Sequence, residues 1–104
     1  GNDAFVQKMV SIFINQTHES LVAIEKNIEE KTFENISRIA HKIKPSIDQM
    51  GIIFLKNDIR ALESYKMETG SMQEFTQLAQ HVCNVLKAVL KKLKSDGYST
   101  IPKD

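Results

Sequence analysis

Apolar residues recur at intervals of three and four along nearly the whole chain, and strict alternation of apolar and polar positions is absent. That pattern predicts helices and no sheet. The first segment runs from about Asp3 to Asn15, with Phe5, Met9, Ile12 and Phe13 as its stripe and Val6, Val10 and Ile14 on its flank. In the polar stretch NQTHES that follows, Thr17 offers an N-cap for a second helix through about Glu30, built on Leu21, Ile24 and Ile28. Thr32 opens a third, whose apolar arc is Ile36, Ile39, Ala40, Ile43, Ile47 and Met50, and Gly51 marks the next junction. The fourth, about Ile53 to Lys66, carries Leu55, Ile59 and Leu62, with Gly70 as the turn residue after it. The fifth, from Ser71 or Met72 to about Lys94, has the cleanest register: Phe75, Leu78, Ala79, Val82, Leu86, Val89 and Leu93. Lys91, Lys92 and Lys94 suit the negative end of its dipole. Residues 95–104 read as a flexible tail.

Short connections between amphipathic helices favour antiparallel neighbours, and four such stripes close one core. The expected fold is all-α: an antiparallel up-down four-helix bundle with an additional N-terminal helix, the first, shorter segment, capping it. At 104 residues the chain is read as a single domain, 1–104, too small to hold a nucleotide-binding domain as well. No apolar run is long enough to span a bilayer, so no membrane insertion is expected. The start of the chain lacks a signal-peptide pattern, and the lone Cys83 cannot form an internal disulfide. Both features favour a cytoplasmic location. With 14 basic and 13 acidic residues the net charge is +1, which provides no broad basic field for nucleic acid. A protein partner is expected instead.

Within the third segment, the stretch AHKIKPSIDQMG places unusual residues together. On a helical wheel His41 lies about 150° from the centre of the apolar arc and should face solvent. Ser37, Lys44 and Asp48 stand about one or two turns from it and project from the same face. Periodicity alone leaves open a surface histidine with no task. Pro45 cannot donate to the carbonyl of His41, and a proline inside a helix costs about 3 kcal/mol. A kink, or a helix that ends early, accounts for it without any function.

The motif resembles the signature of histidine-containing phosphotransfer (HPt) domains of two-component phosphorelays. That family pattern is Ala-His, a hydrophobic residue two positions after the histidine, Lys at +3, usually Gly at +4, a small residue at +5 and Gly at +10. Here those positions are Ala40, His41, Ile43, Lys44, Pro45, Ser46 and Gly51, with the proline as the departure. RALESY, through Leu62-Glu63, is similar to the family's usual Leu-Glu ending of the next helix, and FVQKMVSIFINQTHESL resembles its first helix and turn. The resemblance therefore covers nearly the whole chain.

The resemblance implies that His41 is the phosphoacceptor and that Lys44 orients or partly neutralises the phosphoryl group. Gly51 would permit tight packing or close approach of a partner. Pro45 stands where a glycine keeps the surface low beside the histidine; proline is compact too, but it should tilt the helix just past the site. Ser37, Pro45, Asp48 and Gly51 are thus the candidate partner-binding residues. Asp48 would repel phosphate, and its simplest role is to pair with Lys44 in the empty site. The implied partners are response-regulator receiver domains or a hybrid sensor kinase, excision from which is one reading of this domain, and the expected state is a monomer. No cofactor of its own is expected, because the Mg²⁺ and the acceptor carboxylates belong to the receiver.

The chemistry fits these residue types. An imidazole with an unperturbed pKa of about 6.5 is a nucleophile at neutral pH, and phosphoryl transfer depends chiefly on positioning and on charge stabilisation. Other candidates carry less. His81 and Cys83 point in different directions and make no zinc clamp. His18 reads as solvated surface and Cys83 as a packing residue. No glycine-rich phosphate loop occurs. Two alternatives stand beside the carrier: a bundle that only binds proteins, and the phosphoacceptor segment of a histidine kinase. The latter normally has an acidic residue after its histidine and proline at +5, whereas here Lys42 follows and the proline is at +4.

Overall fold

In the computed structural model, which describes residues 2–65 and 71–98, the chain forms α1 (Asn2–Glu30), α2 (Phe33–Gln49), α3 (Ile53–Ser64) and α4 (Met72–Ser95). Among the described residues there is no strand. The second, third and fourth of these helices begin where the pattern places them. The last residue expected in the α3 segment, Lys66, and the turn at Gly70 lie outside the described residues, as does the tail beyond Tyr98.

The first and second expected segments are one helix. Thr17, expected to cap a new helix, is completely buried inside α1. The reason is its place in the stripe: Val10, Phe13, Thr17, Leu21 and Ile24 are all buried and follow one another at three- and four-residue spacing, with Ile14 buried next to Phe13. Threonine has the shape of valine, so it continues the apolar face through a polar stretch of sequence. The same register corrects the expected stripe of the first segment. Val10 and Ile14, placed on its flank, belong to the core, while Phe5 and Ile12 are exposed. At 29 residues α1 is about 43 Å long, against about 26 Å for the 17 residues of α2. Its first turns take the place of the separate N-terminal helix.

α1 packs on α2, α2 on α3, α3 on α4, and α4 on α1, which closes a ring around one core. Across α1 and α2, Asn27 meets Asn35, Gln16 meets Ser46 and Met9 meets Gln49, so contacts descend one helix as they climb the other. Ile36, Ile47, Leu55, Ile59, Leu62 and Leu86 fill the interior. Near the α3–α4 connection Phe75 meets the ring of Phe33 edge-on at 5.5 Å and stacks on Tyr65 at 4.9 Å. Ser71 caps α4, its hydroxyl accepting from the Glu74 N–H at 3.0 Å.

Three helices end alike. After α2, Gly51 has φ +69°, its N–H donates to the Asp48 carbonyl at 3.1 Å, and the Ile52 N–H reaches the Ile47 carbonyl at 3.2 Å. This is the paired-bond stop in which one residue must adopt a left-handed conformation. Gly97 plays that part after α4, where Tyr98 donates back to Leu93 at 3.0 Å, so the expected tail is ordered at least that far. After α1 the left-handed residue is Lys31, at φ 60°. Among the described residues no helix is long and apolar enough to cross a membrane.

Candidate functional site

His41 sits midway along α2. Successive side chains on a helix diverge by about 100°, and the turn that buries Ala40 and Ile43 leaves the His41 side chain 71% exposed. Lys44 follows one turn later and is less exposed, at 31%. Both lean toward the last turn of α3. There the buried Leu62 anchors the helix to the core, and its neighbour Glu63 comes to lie between them.

Glu63 holds both groups. His41 Nδ1 donates to Oε1, and Lys44 Nζ donates to Oε2 at 2.8 Å. The hydrogen bond from Lys44, followed by that from His41, keeps the Glu63 carboxyl below its ordinary range, against the opposing effect of partial burial. A carboxylate only accepts, so its partner nitrogen must carry the proton. In the neutral ring the lone pair is then on Nε2, the nitrogen turned away from Glu63. The site is an oriented, solvent-facing nucleophile with an ammonium one turn away.

The other expected site residues divide. Pro45 and Asp48 are exposed on α2, as anticipated. Pro45 does not end the helix, which continues to Gln49. Ser37 is not on the open face: it is half-buried, and its hydroxyl donates to the Leu62 carbonyl at 2.9 Å. It stitches α2 to α3 one residue before Glu63. Among the described residues Lys44 pairs with Glu63 rather than with Asp48. Gly51 lies ten residues past His41, about 15 Å along the axis. A Cβ there would meet nothing within 4 Å, so its backbone angle, and not tight packing, is what requires glycine.

Glu63 is the residue that the wheel of α2 alone does not reveal. The available signal was the Leu62-Glu63 ending of the following helix. Elsewhere His18 is exposed, and His81 pairs with Asp58 at 3.3 Å on the surface. Cys83 is buried, and burial together with Glu25 pushes its thiol up to about 11, as suits a packing residue. Among the described residues no cluster of three or more His, Cys, Asp or Glu is arranged to hold a metal. On the flank of α2 that faces α1, away from the His41–Glu63 contact, a groove of about 500 Å³ is bordered by Gln16, Ile39, Lys42, Ile43 and Ser46.

The chain is similar to known proteins. The family model described as Hpt domain matches residues 8–96. The phosphorelay intermediate protein YPD1 of Candida albicans is 27% identical over 63 residues, which is 61% of this chain and 34% of that protein. The matched region thus spans about a third of the relative's length. No solved structure matches the chain.

Proposed function

The chain belongs to the Hpt domain family, and from that premise we propose that it is a phosphorelay carrier in two-component signalling. His41 accepts a phosphoryl group from the aspartyl phosphate of one receiver domain and passes it to another. The observation that carries this reading is the exposed imidazole of His41 with Nδ1 tied to Glu63. Nε2 is left as the attacking atom, and the ring is aimed outward, where an in-line approach is open.

Attack by the Nε2 lone pair forms the N–P bond as the P–O bond to the receiver carboxylate breaks, and the Nδ1 proton stays in place. Glu63 stabilises the positive charge that develops on the ring. Lys44 supplies the point charge that orients the phosphoryl oxygens. Pro45 presents a compact surface to the docking receiver, Gly51 allows a close approach at the end of α2, Asp48 borders the contact, and Ser37 fixes α2 against α3.

The working scaffold is an antiparallel up-down four-helix bundle, a reading supported by the short connections and the closed ring of packed helices. The domain acts as a cytoplasmic monomer, binds no nucleic acid, and has no ATP site, so it is an intermediate and not a kinase. Mg²⁺ is supplied by the receiver. A response regulator or a hybrid sensor kinase provides the receiver domains.

The test is to incubate the protein and its His41→Gln variant with phosphorylated receiver domains and map the acid-labile label. Label on His41 and relay lost in the variant with unchanged folding are expected. Undiminished relay by the variant would leave a protein-binding bundle as the reading.

A further inference from the structure

Both carboxylate oxygens of Glu63 are engaged before any phosphate arrives, Oε1 by the Nδ1–H of His41 and Oε2 by Lys44 Nζ. That arrangement bears on how phosphate leaves as much as on how it arrives. When an N–P bond breaks, its electron pair returns to Nε2. If Nδ1 keeps its proton the ring departs as neutral imidazole; if the proton has been lost it must depart as imidazolate, a far poorer leaving group. A carboxylate that accepts from Nδ1–H holds the proton where departure needs it. A second effect acts through Lys44. A phosphoryl group on Nε2 lies on the side of the ring away from Glu63, so two anions contend for one ammonium. As long as Lys44 remains with Glu63, the phosphoryl oxygens lack their counter-charge.

Building on the carrier reading above, we propose that Glu63 is the release element of this site. It is a positioning residue that keeps phosphorylated His41 short-lived and ready to transfer, by retaining the Nδ1 proton and by competing with the phosphoryl group for Lys44. In the outgoing step the Nε2–P bond breaks and a P–O bond forms to the carboxylate of the acceptor aspartate. The electron pair stays on Nε2 and the Nδ1 proton does not move. An imidazolium ring bearing a dianionic phosphoryl group, together with a carboxylate, becomes a neutral imidazole and an acyl phosphate dianion, so the charge balances.

The decisive measurement is the lifetime of phosphohistidine in the absence of any receiver. The protein and its Glu63→Gln, Lys44→Met and doubly substituted variants are phosphorylated with phosphoramidate, and loss of label is followed by ³¹P NMR. Glutamine still accepts from Nδ1–H, so the tautomer is kept while the charge is removed. Glu63→Gln should lengthen the half-life about threefold to tenfold, the effect of one charge-assisted hydrogen bond. The gain should shrink in the Lys44→Met background, and Glu63→Asp should restore part of the short lifetime. An unchanged or shorter half-life in Glu63→Gln, with a native unfolding midpoint, overturns the proposal. A gain of equal size without Lys44 removes the competition from it. If the unsubstituted protein takes no label on His41, the carrier reading itself fails, an outcome distinct from a labelled protein whose lifetime ignores Glu63.

Discussion

Lys44 reaches from α2 to Glu63 on α3, its Nζ 2.8 Å from Oε2, although Asp48 stands one turn further along its own helix. The difference lies in solvation. Asp48 is exposed, whereas Glu63 is only 23% exposed and already fixed by His41, so the cross-helix pair forms in a less screened place. His41, Lys44 and Glu63 are therefore one unit.

That unit sets an acid limb of stability. Folding lowers the Glu63 pKa from its ordinary 4.5, so near that pH the unfolded chain binds more protons than the folded one. The resulting stabilisation is fully present above 4.5 and is lost as pH falls through the folded value. Urea midpoints measured between about pH 3 and 6 should fall more steeply toward acid for the unsubstituted protein than for Glu63→Gln. Parallel profiles would mean that the carboxylate is free in solution.

Thr17 separates a continuous α1 from two helices by the sign of one substitution. Its hydroxyl is buried and has no hydrogen-bond partner among the described residues. Thr17→Val keeps the shape and removes the unsatisfied group, and should raise stability by about 1 kcal/mol. Were Thr17 the cap of a second helix, the same change would lower stability by about 1 kcal/mol. Urea unfolding of the variant decides between them.

Lys31 and Gly51 occupy the same left-handed position after α1 and α2, at φ 60° and 69°. Opposite effects should follow. Gly51→Ala introduces a Cβ into open space but a strained backbone, and should cost about 1 kcal/mol. Lys31→Gly relieves the strain and should gain about 0.5 kcal/mol after the extra freedom of the unfolded chain is set against it. Thermal or urea unfolding of the two variants gives both signs.

How far these features could be read from sequence depends on where the information lies. The cores of α2, α3 and α4 were legible because Ile36, Ile59 and Phe75 belong to unbroken apolar stripes bounded by turn residues. The long α1 was not, since Thr17 is a polar letter with an apolar shape and the surrounding NQTHES hides its role. His41 could be placed on the surface from its own helix alone. Ser37 could not, because its surroundings are set by the Leu62 carbonyl of a neighbouring helix. Glu63 is 22 residues from His41, and only packing of α2 on α3 brings the two together.

Pro45 is the remaining departure from the family motif, and its cost is local. α2 continues to Gln49 with the proline inside it, so the carbonyl of His41 goes without the N–H that residue 45 would otherwise donate. Pro45 is exposed, and restoring that donor requires no repacking of the core. Pro45→Ala should therefore raise stability by about 1 to 3 kcal/mol. Pro45→Gly should raise it by about 1 kcal/mol less, because glycine returns the donor but is a poor helix former. Urea midpoints of the two variants test the order. Both substitutions also change the surface one turn past His41, so the rate of phosphoryl transfer from receiver domains should change in each. Raised stability with rates identical across several receivers would assign the proline a cost to the fold and no part in docking.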